Sequence, residues 1–210
     1  MVRIKQEQQQ QVMGQTRHRL LKAAAVEFAR AGFAGANINT ISNAAGFAKG
    51  TIYNYFASKQ ALLLALIDTT AQEQLVFMLE RSRLEADPRR RLERFFQAGF
   101  EFVALYLPQA SVVFNSLNDS DETLKAHIFG VYQPLIQFLA DEILVLGIQQ
   151  GVFRPVEPGP TALLLMTIYL GTTSQHDAQG HAWLDPLQVA SLVLDGLFNW
   201  QEPPHDQPVS

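Results

Sequence analysis

Two short helical segments separated by a tight turn occupy residues 37–59, and they constrain the fold more than any other part of the chain. Asn37 is a favourable helix N-cap, because its side-chain oxygen can accept a hydrogen bond from the first turn. Apolar residues then recur at helical spacing on one face: Ile38, Ile41 and Ala45. Gly46 supplies the left-handed backbone that commonly ends a helix, and a new helical stretch opens at Gly50 or Thr51. The pattern predicts a helix-turn-helix, a motif whose second helix enters the major groove of DNA.

The second predicted helix buries Ile52 and Phe56, and its other side chains are polar, aromatic or basic. We expect base edges to be reached by Thr51, Tyr53 and Asn54. We expect phosphate contacts from Asn37, Asn39, Lys49, Tyr55 and Lys59. Gly50 lets the backbone approach the DNA closely. The alternative is that the two tyrosines are packing residues.

The segment from Ala45 to Phe56, followed by Ser58 and Lys59, resembles the recognition helix and the start of the fourth helix of TetR-type one-component regulators. The resemblance extends from about Arg17 to Leu64, and beyond that range it is one of layout only. Ala48 stands where many members of that family carry a Ser that caps the helix and contacts a phosphate. The resemblance implies a DNA-binding head followed by a helical domain.

The charge of the chain is distributed unevenly. Residues 1–60 contain eight Lys or Arg and two acidic residues, whereas residues 61–210 contain eight Lys or Arg and eighteen acidic residues. A basic head on an acidic body is typical of a phosphate-docking module joined to a domain that does not bind DNA. The formal net charge of −4 argues against a chain that coats nucleic acid along its whole length. A solvated charged face is the alternative meaning of the basic residues.

The composition excludes several classes of protein. A length of 210 residues suits one or two domains, and a hydrophobic content of 48% is ample for a core. The absence of cysteine excludes disulfides and Cys-containing zinc sites. The N-terminus lacks the apolar core of a signal peptide, and no apolar run approaches the ~20 residues that span a bilayer. These features predict a cytoplasmic protein without a membrane partner.

Helical periodicity throughout the chain predicts an all-α fold in three parts. The Gln-rich residues 1–14 have no periodicity and are expected to form a disordered arm. Residues 15–60 are the predicted three-helix DNA-binding domain, whose first helix ends at Gly32. Residues 61–210 are the predicted helical domain for effector binding and dimerisation. In that domain Pro134 is expected to bend or break a long helix.

The body is dense in aromatic residues, which are most often core residues. In the family that the chain resembles, however, such helices surround an effector pocket, and pockets are mostly apolar with a few polar groups. The expected lining consists of Phe77, Phe96, Phe100, Glu101, Val103, Phe114, Phe129, Tyr132, Gln133 and Thr167. We expect a hydrophobic or aromatic effector, and a cationic one only if Glu101 points inward. Apolar residues on both sides of the main stripe predict that the helix from Pro88 to Leu107 is buried nearly all round.

The resemblance also implies that the last two helices of two chains form a four-helix interface. The residues expected to supply it are Leu163, Met166, Leu170, Leu187, Ala190, Leu194 and Leu197. A single head reads only a few base pairs, so specific binding requires two heads at a fixed spacing. A homodimer is therefore expected.

The sequence favours a ligand-responsive repressor that binds operator DNA and is released by an effector, with activation as the other mode. The competing class is a small-molecule-binding or enzymatic helical protein whose basic head binds a protein or membrane surface. A steep salt dependence of DNA affinity would separate the two classes. No motif of a serine hydrolase, phosphate loop or zinc protease is present, so neither an enzyme nor a cofactor is expected. The loop with His176, Asp177 and His181 lacks another strong metal ligand and is expected to be solvated.

Overall fold

The computed structural model describes residues 2–173 and 186–197, and every element within them is helical, which confirms the all-α prediction. The elements are α1 (Val2–Gly35), α2 (Ile38–Ala44), a 3₁₀ helix (Thr51–Asn54), α3 (Lys59–Ser82), α4 (Pro88–Leu105), α5 (Leu107–Leu117), α6 (Glu122–Phe138), a π-helical segment (Leu139–Leu144), α7 (Val145–Gln149), α8 (Pro158–Thr173) and α9 (Pro186–Leu197). The last part of α6, the π-helical segment and α7 follow one another without a break.

The chain forms two compact units. Unit 1 comprises Met1–Gln74 and Val103–Tyr132, and unit 2 comprises Leu75–Phe102 and Gln133–Ser210. The boundary predicted at residue 60 falls inside unit 1, because α1 packs along α5. The predicted DNA-binding head therefore shares its compact unit with part of the predicted effector domain.

Helix α1 begins at Val2, so residues 2–14 are helical and not the disordered arm that the sequence pattern indicated. The side chains of residues 9–15 are exposed, and a helix without a buried side shows no apolar periodicity. Glutamine and lysine are favourable helix formers, so this stretch extends the buried helix that follows it. Gly32, with φ of 67° and ψ of 174°, interrupts the helical backbone where the sequence predicted a stop.

The core of unit 1 forms where α1 packs against α5 and α2. Helix α1 contributes Leu20, Ala24 and Phe28, which are at most 2% exposed. Four of the five predicted inward residues of the helix-turn-helix are buried as well, namely Ile41, Ala45, Ile52 and Phe56, whereas Ile38 is half-buried. The helix-turn-helix is thus anchored to α1 through its apolar face.

In unit 2, α8 is joined to α4 by Tyr169. The Tyr169 side chain is fully buried, and its hydroxyl donates to the carbonyl oxygen of Gly99 at 3.0 Å. Its ring centroid lies 6.5 Å from that of Phe96 and 5.8 Å from that of Phe100. A Cβ atom at Gly99 would lie 2.6 Å from Cε2 of Tyr169, so glycine is what allows this close approach.

Helix α4 is buried on one side only, contrary to the expectation of burial nearly all round. Its buried side consists of Leu92, Phe95, Phe96, Phe102 and Val103. Its opposite side exposes Arg89, Arg90 and Glu101. The apolar residues outside the main stripe caused the error, since Leu105 is 65% exposed.

Pro134 lies inside α6 and does not end it. Proline removes the hydrogen bond to the carbonyl four residues earlier, which here belongs to Gly130. Both Pro134 and Gly130 are exposed, so water can satisfy that carbonyl. The helical irregularity comes later, in the π-helical segment.

Two helical stretches, Lys59–Ser82 and Glu122–Gln149, are long and apolar enough to cross a membrane by length and composition, which corrects the expectation that no such run exists. In their most apolar windows, 44% and 50% of the residues are buried within the fold. Core helices of a folded helical domain have the same composition, so these helices give only weak support for a membrane span.

Candidate nucleic-acid interface

The start of α2 is capped as the sequence predicted. The backbone N–H of Asn39 donates to Oδ1 of Asn37 at 2.9 Å, and the Asn37 backbone is extended. Asn37 is exposed and Asn39 is half-buried. Both lie at the N-terminal end of α2, where backbone N–H groups without a partner in the helix are available to an anion.

The turn after α2 is held by a side chain from α1. Gly46 has φ of 79° and ends α2 as predicted. Nη2 of Arg19 donates to the carbonyl oxygen of Ala45 at 2.7 Å, and its guanidinium carbon lies 4.8 Å from the ring centroid of Phe47. The charge of Arg19 therefore stabilises the turn, a role that the sequence analysis missed because the partners lie 26 residues apart.

The second helix of the motif is shorter than predicted. Residues Thr51–Asn54 form a 3₁₀ helix that is preceded by Gly50 with φ of 101° and has no side-chain cap. The N-cap position is occupied by Gly50, which has no side chain that could accept a hydrogen bond. The helix cannot extend far, since Ser58 already caps α3 by accepting a hydrogen bond from the N–H of Ala61 at 3.0 Å.

The predicted DNA contacts divide into two groups by exposure. The exposed ones are Asn37, Lys49, Tyr53 and Asn54. The half-buried ones are Asn39, Gly50, Thr51, Tyr55 and Lys59. Tyr53 is 58% exposed, which a packing residue would not be. All nine lie between the start of α2 and the start of α3.

Lys59 is engaged within the protein. Its Nζ donates to the carbonyl oxygens of Ala34 and Ala36 at 3.0 and 2.8 Å, and lies 5.0 Å from the ring centroid of Phe33. The ammonium group thus holds the connection between α1 and α2 against the first turn of α3. Two of the three N–H groups of the ammonium are used in these hydrogen bonds. The third is available to a phosphate, and that contact stays a prediction.

Glu27 stabilises the same connection from its other side. Its carboxylate accepts hydrogen bonds from Arg30 at 2.9 to 3.1 Å and from the backbone N–H of Asn37 at 3.1 Å. The hydrogen bonds from Arg30 and Asn37 hold the pKa of Glu27 below its usual value of 4.5, against the opposing effect of burial. The Glu–Arg spacing of three residues is visible in sequence, but the contact with Asn37 is not.

Glu101 lies in solvent, and the alternative of a cationic effector bound to it is wrong. Its side chain is 45% exposed and forms ion pairs with Arg81 at 3.4 Å and Arg94 at 3.3 Å. Because a helix turns by about 100° per residue, the neighbours of Glu101 point to other sides of α4.

The polar residues expected in the effector lining already have partners or face solvent. The buried Tyr132 hydroxyl donates to Oε1 of Gln74 at 2.8 Å, and burial raises the pKa of Tyr132. Gln133 and Thr167 are exposed, and the Thr167 hydroxyl donates to the carbonyl oxygen of Leu163. All three were expected to line the pocket, but Gln133 and Thr167 lie on the exposed sides of α6 and α8.

The other residues of that set lie in both units. Within unit 2, Phe96 is buried, Phe100 packs on Tyr169, and the Phe77 ring centroid lies 5.6 Å from that of Phe102. Those in unit 1 are the buried Val103 and Phe114 and the 52% exposed Phe129. An effector lining by these residues stays a prediction.

Two clefts lie within unit 1. One, of about 380 Å³, runs between α1 and α2 and includes Arg19, Lys22 and Thr40. The other, of about 320 Å³, lies between α1, α3, α5 and α6 and includes Phe33 and Ser116. Neither cleft is lined by a residue predicted to bind the effector.

The outward face of α8 differs in part from the predicted dimer interface. Leu163 is 47% exposed and Leu170 half-buried, whereas Met166 is 2% exposed and packs inside, so its assignment to the interface is wrong. Leu164, which was not predicted, is 59% exposed. The side chains of Leu187, Ala190, Leu194 and Leu197 lie outside the described part of α9. The loop residues His176, Asp177 and His181 also lie outside the described residues.

Comparison with known proteins agrees with this geometry. The profile of a family described as bacterial regulatory proteins, tetR family, matches residues 20–66, from α1 to the first part of α3. The HTH-type transcriptional repressor KstR2 of Mycobacterium tuberculosis is 28% identical over 161 residues, which cover 69% of this chain and 74% of that protein.

Solved structures share the fold. The transcriptional regulator FadR from Bacillus subtilis, in complex with stearoyl-CoA, has a TM-score of 0.74 at 22% identity, over 85% of this chain and 95% of that one. AibR, in complex with isovaleryl coenzyme A and operator DNA, has a TM-score of 0.69 at 22% identity, over 87% of this chain and 98% of that one. The likeness to both is one of fold.

Acid should weaken unit 1 through Glu27. Its folded-state pKa is lowered, so its stabilisation is fully present above the unfolded value of 4.5 and is lost as the pH falls through the folded value. We expect Glu27→Gln to lower the melting temperature at pH 7. Below about pH 4.5, the melting temperature of the variant should decrease less steeply with falling pH than that of wild type. Thermal unfolding followed by circular dichroism measures both. The exposed Glu80→Gln is the control, and an acid dependence identical in Glu27→Gln and wild type would contradict the assignment.

Proposed function

The chain belongs to the TetR family of bacterial regulatory proteins, and on that premise we propose that it represses transcription from an operator until a small-molecule effector releases it. The observation that carries the proposal is the capped and anchored helix-turn-helix with exposed Tyr53, Asn54 and Lys49. Exposed aromatic, amide and ammonium groups on one short segment supply both base and phosphate contacts. Such a protein acts on DNA in the cytoplasm.

In this proposal residues 15–60 form the DNA-binding domain and residues 61–210 serve effector binding and dimerisation. Tyr53, Asn54 and Thr51 read base edges, while Lys49 and the start of α2 bind phosphates. The half-buried Thr51 sits beside Gly50, whose positive φ brings the backbone to the surface. The division of roles follows the chemistry of each side chain and its place in the motif.

The proposed effector is a coenzyme A thioester, which combines an apolar acyl chain with several phosphates. FadR and AibR were solved with such thioesters. Six of the eight Lys and Arg residues after residue 60 lie within a stretch of fourteen: Arg81, Arg83, Arg89, Arg90, Arg91 and Arg94. Guanidinium groups bind phosphate oxygens in a fork geometry, which makes a cluster of them suited to a polyphosphate.

Most of these arginines are already paired. Arg83 pairs with Glu142 at 2.6 Å, and Nη1 of Arg91 donates to the carbonyl oxygen of Glu142 at 3.1 Å. Arg89 and Arg90 are exposed at the start of α4. Arg89 pairs with Glu93 at 3.3 Å at the surface, whereas Arg90 has no ion pair among the described residues. We therefore assign the phosphate contacts to the start of α4.

The repressor is proposed to be a homodimer joined through α8 and α9. The exposed leucines Leu163 and Leu164 on α8 and Leu192 on α9 are 47%, 59% and 77% exposed. Helix α8 has no Asp, Glu, His, Lys or Arg, so its outward side is uncharged and its exposed leucines favour burial against a second chain. Two heads joined in this way read half-sites about 34 Å apart or a multiple of that distance.

Replacing Lys49 should change the salt dependence of the affinity for DNA. We expect Lys49→Ala to reduce the slope of log affinity against log salt concentration by about one unit on any duplex, because one phosphate contact is lost. Fluorescence anisotropy with a duplex selected from a random library measures it. Arg154→Ala, which removes an exposed charge from unit 2, should leave the slope unchanged. Equal slopes for wild type and Lys49→Ala would remove Lys49 from the interface.

Dimerisation should depend on the exposed side of α8. We expect Leu164→Arg to produce monomers at micromolar concentration with unchanged helix content, since a buried unpaired charge is strongly unfavourable. Sedimentation velocity distinguishes the two states. Leu84→Arg is the matched control, because Leu84 is 79% exposed outside α8. A wild-type monomer, or a dimer that tolerates Leu164→Arg, would exclude this interface.

Effector binding is tested with stearoyl-CoA and isovaleryl-CoA by calorimetry, with stearate and free coenzyme A as partial ligands. The double variant Arg89→Ala, Arg90→Ala should weaken thioester binding about tenfold or more and leave stearate binding unchanged, because it removes two charge-assisted contacts. Arg154→Ala controls for net charge. Thioester binding that is unaffected by the double variant would place the phosphates elsewhere, and an absence of binding would reject the effector class.

A further inference from the structure

The cleft of about 320 Å³ in unit 1 has the features of a small-molecule site, and we call it the junction cleft. It lies where the end of α1 meets the first turn of α3, the end of α5 and the start of α6. Its volume is at the lower end of the range of about 300–1,000 Å³ that is usual for ligand sites. Phe28, Phe33 and Leu63 form part of an apolar wall, and the two phenyl rings stack with centroids 6.1 Å apart.

Ser116 presents a hydroxyl group without a protein partner to the junction cleft. Ser116 lines the cleft and is 7% exposed, and among the described residues its hydroxyl forms no hydrogen bond. Gln60 and Asn115, which are exposed at the rim, are likewise without side-chain hydrogen bonds in the described part of the chain. The Ser116 oxygen is not fully buried, in contrast to Oγ of Ser42, so its hydroxyl is accessible from the cleft and can donate to an acceptor of a ligand.

The charge of the junction cleft is negative. Asp119 and Asp121 line it, and its lining contains no Lys or Arg. Oδ1 of Asp119 accepts from the N–H of Asp121, and Oδ1 of Asp121 accepts from the N–H groups of Thr123 and Leu124 at 2.9 and 3.1 Å. These bonds use one oxygen of each carboxylate and leave the other available to a ligand.

Two lysines on the flanking helices α3 and α6 have other partners. The Lys59 ammonium lies 5.0 Å from the ring centroid of Phe33, donates to the carbonyl oxygens of Ala34 and Ala36, and is absent from the lining of the cleft. Lys125 pairs with Glu122 at 2.9 Å, and among the described residues neither lysine forms an ion pair with Asp119 or Asp121. The cleft therefore presents two uncompensated carboxylates over an aromatic and aliphatic wall.

We propose that the junction cleft is a second ligand site, distinct from the effector site, for a small amine that carries an aromatic ring. The ammonium group pairs with Asp119 and Asp121, the ring packs on Phe33 and Leu63, and a polar atom of the ligand accepts from Ser116. The ligand contacts α1 and α6 simultaneously, so its binding favours the conformation of unit 1 in which both helices line the cleft. The proposal of this site does not depend on the proposed function in DNA binding.

The test uses the DNA-free full-length protein and three indole compounds of similar size. Tryptamine carries a positive charge, tryptophol none, and indole-3-acetate a negative charge. We expect calorimetry to show tryptamine binding about tenfold or more tighter than indole-3-acetate, with tryptophol between them. Equal affinities for the three compounds would overturn the amine assignment. An absence of binding by tryptamine at millimolar concentration would overturn the site.

Three variants locate the binding. The double variant Asp119→Asn, Asp121→Asn removes both charges and retains the oxygen atoms that accept the backbone hydrogen bonds, and asparagine caps helices as well as aspartate does. It should weaken tryptamine about tenfold, and Ser116→Ala should weaken it severalfold without loss of helix content. Asp87→Asn, whose Oδ1 caps α4 through the N–H of Arg90, is the matched control. Tryptamine binding that is unchanged in both cleft variants would overturn the proposal.

Discussion

The helix-turn-helix depends on the polar contacts that hold the connection between α1 and α2. This connection is short, and it contains backbone N–H and carbonyl groups that have no hydrogen-bond partner within either helix. Glu27 accepts from the N–H of Asn37 at its far end, while Lys59 donates to the carbonyl oxygens of Ala34 and Ala36. One side chain comes from α1 and the other from α3, so the two helices that flank the motif fix the position at which α2 begins. The exposed groups that we propose to contact DNA are therefore positioned by this pair of side chains.

The same contacts change how the basic charge of the head is understood. By sequence, eight Lys or Arg residues precede residue 61, and Lys49 and Lys59 are the two that were expected to contact phosphates. In the structure Arg19 binds the carbonyl of Ala45, Arg30 binds Glu27, and Lys59 binds two carbonyls. Lys49 is exposed beside the 3₁₀ helix and forms no hydrogen bond or ion pair among the described residues. The long-range attraction of DNA by the head depends on its total charge, whereas the positions of the phosphates depend on the few cations without an internal partner.

Local patterns in the sequence were sufficient for the ends of α2, because a capping side chain and the backbone N–H from which it accepts lie within three residues. Asn37 and Gly46 were assigned correctly for that reason. Contacts between distant residues, such as Arg19 with Ala45, leave no local pattern. Met166 was misassigned because α8 is apolar on all sides, so periodicity does not indicate which side faces inward. The arm over residues 2–14 was missed for the opposite reason, since an exposed helix has no apolar face.

The core of unit 1 also limits how an effector can act on the body. Tyr132 and Gln74 satisfy each other in a buried site, and burial raises the pKa of Tyr132, which keeps its hydroxyl protonated as the donor. A ligand that enters there must replace this hydrogen bond, and its affinity is reduced by the cost of separating the pair. The effector is then bound more tightly by any conformation in which the pair is already apart. Such a difference in affinity between two conformations is what a ligand needs in order to shift the equilibrium of the DNA-binding head.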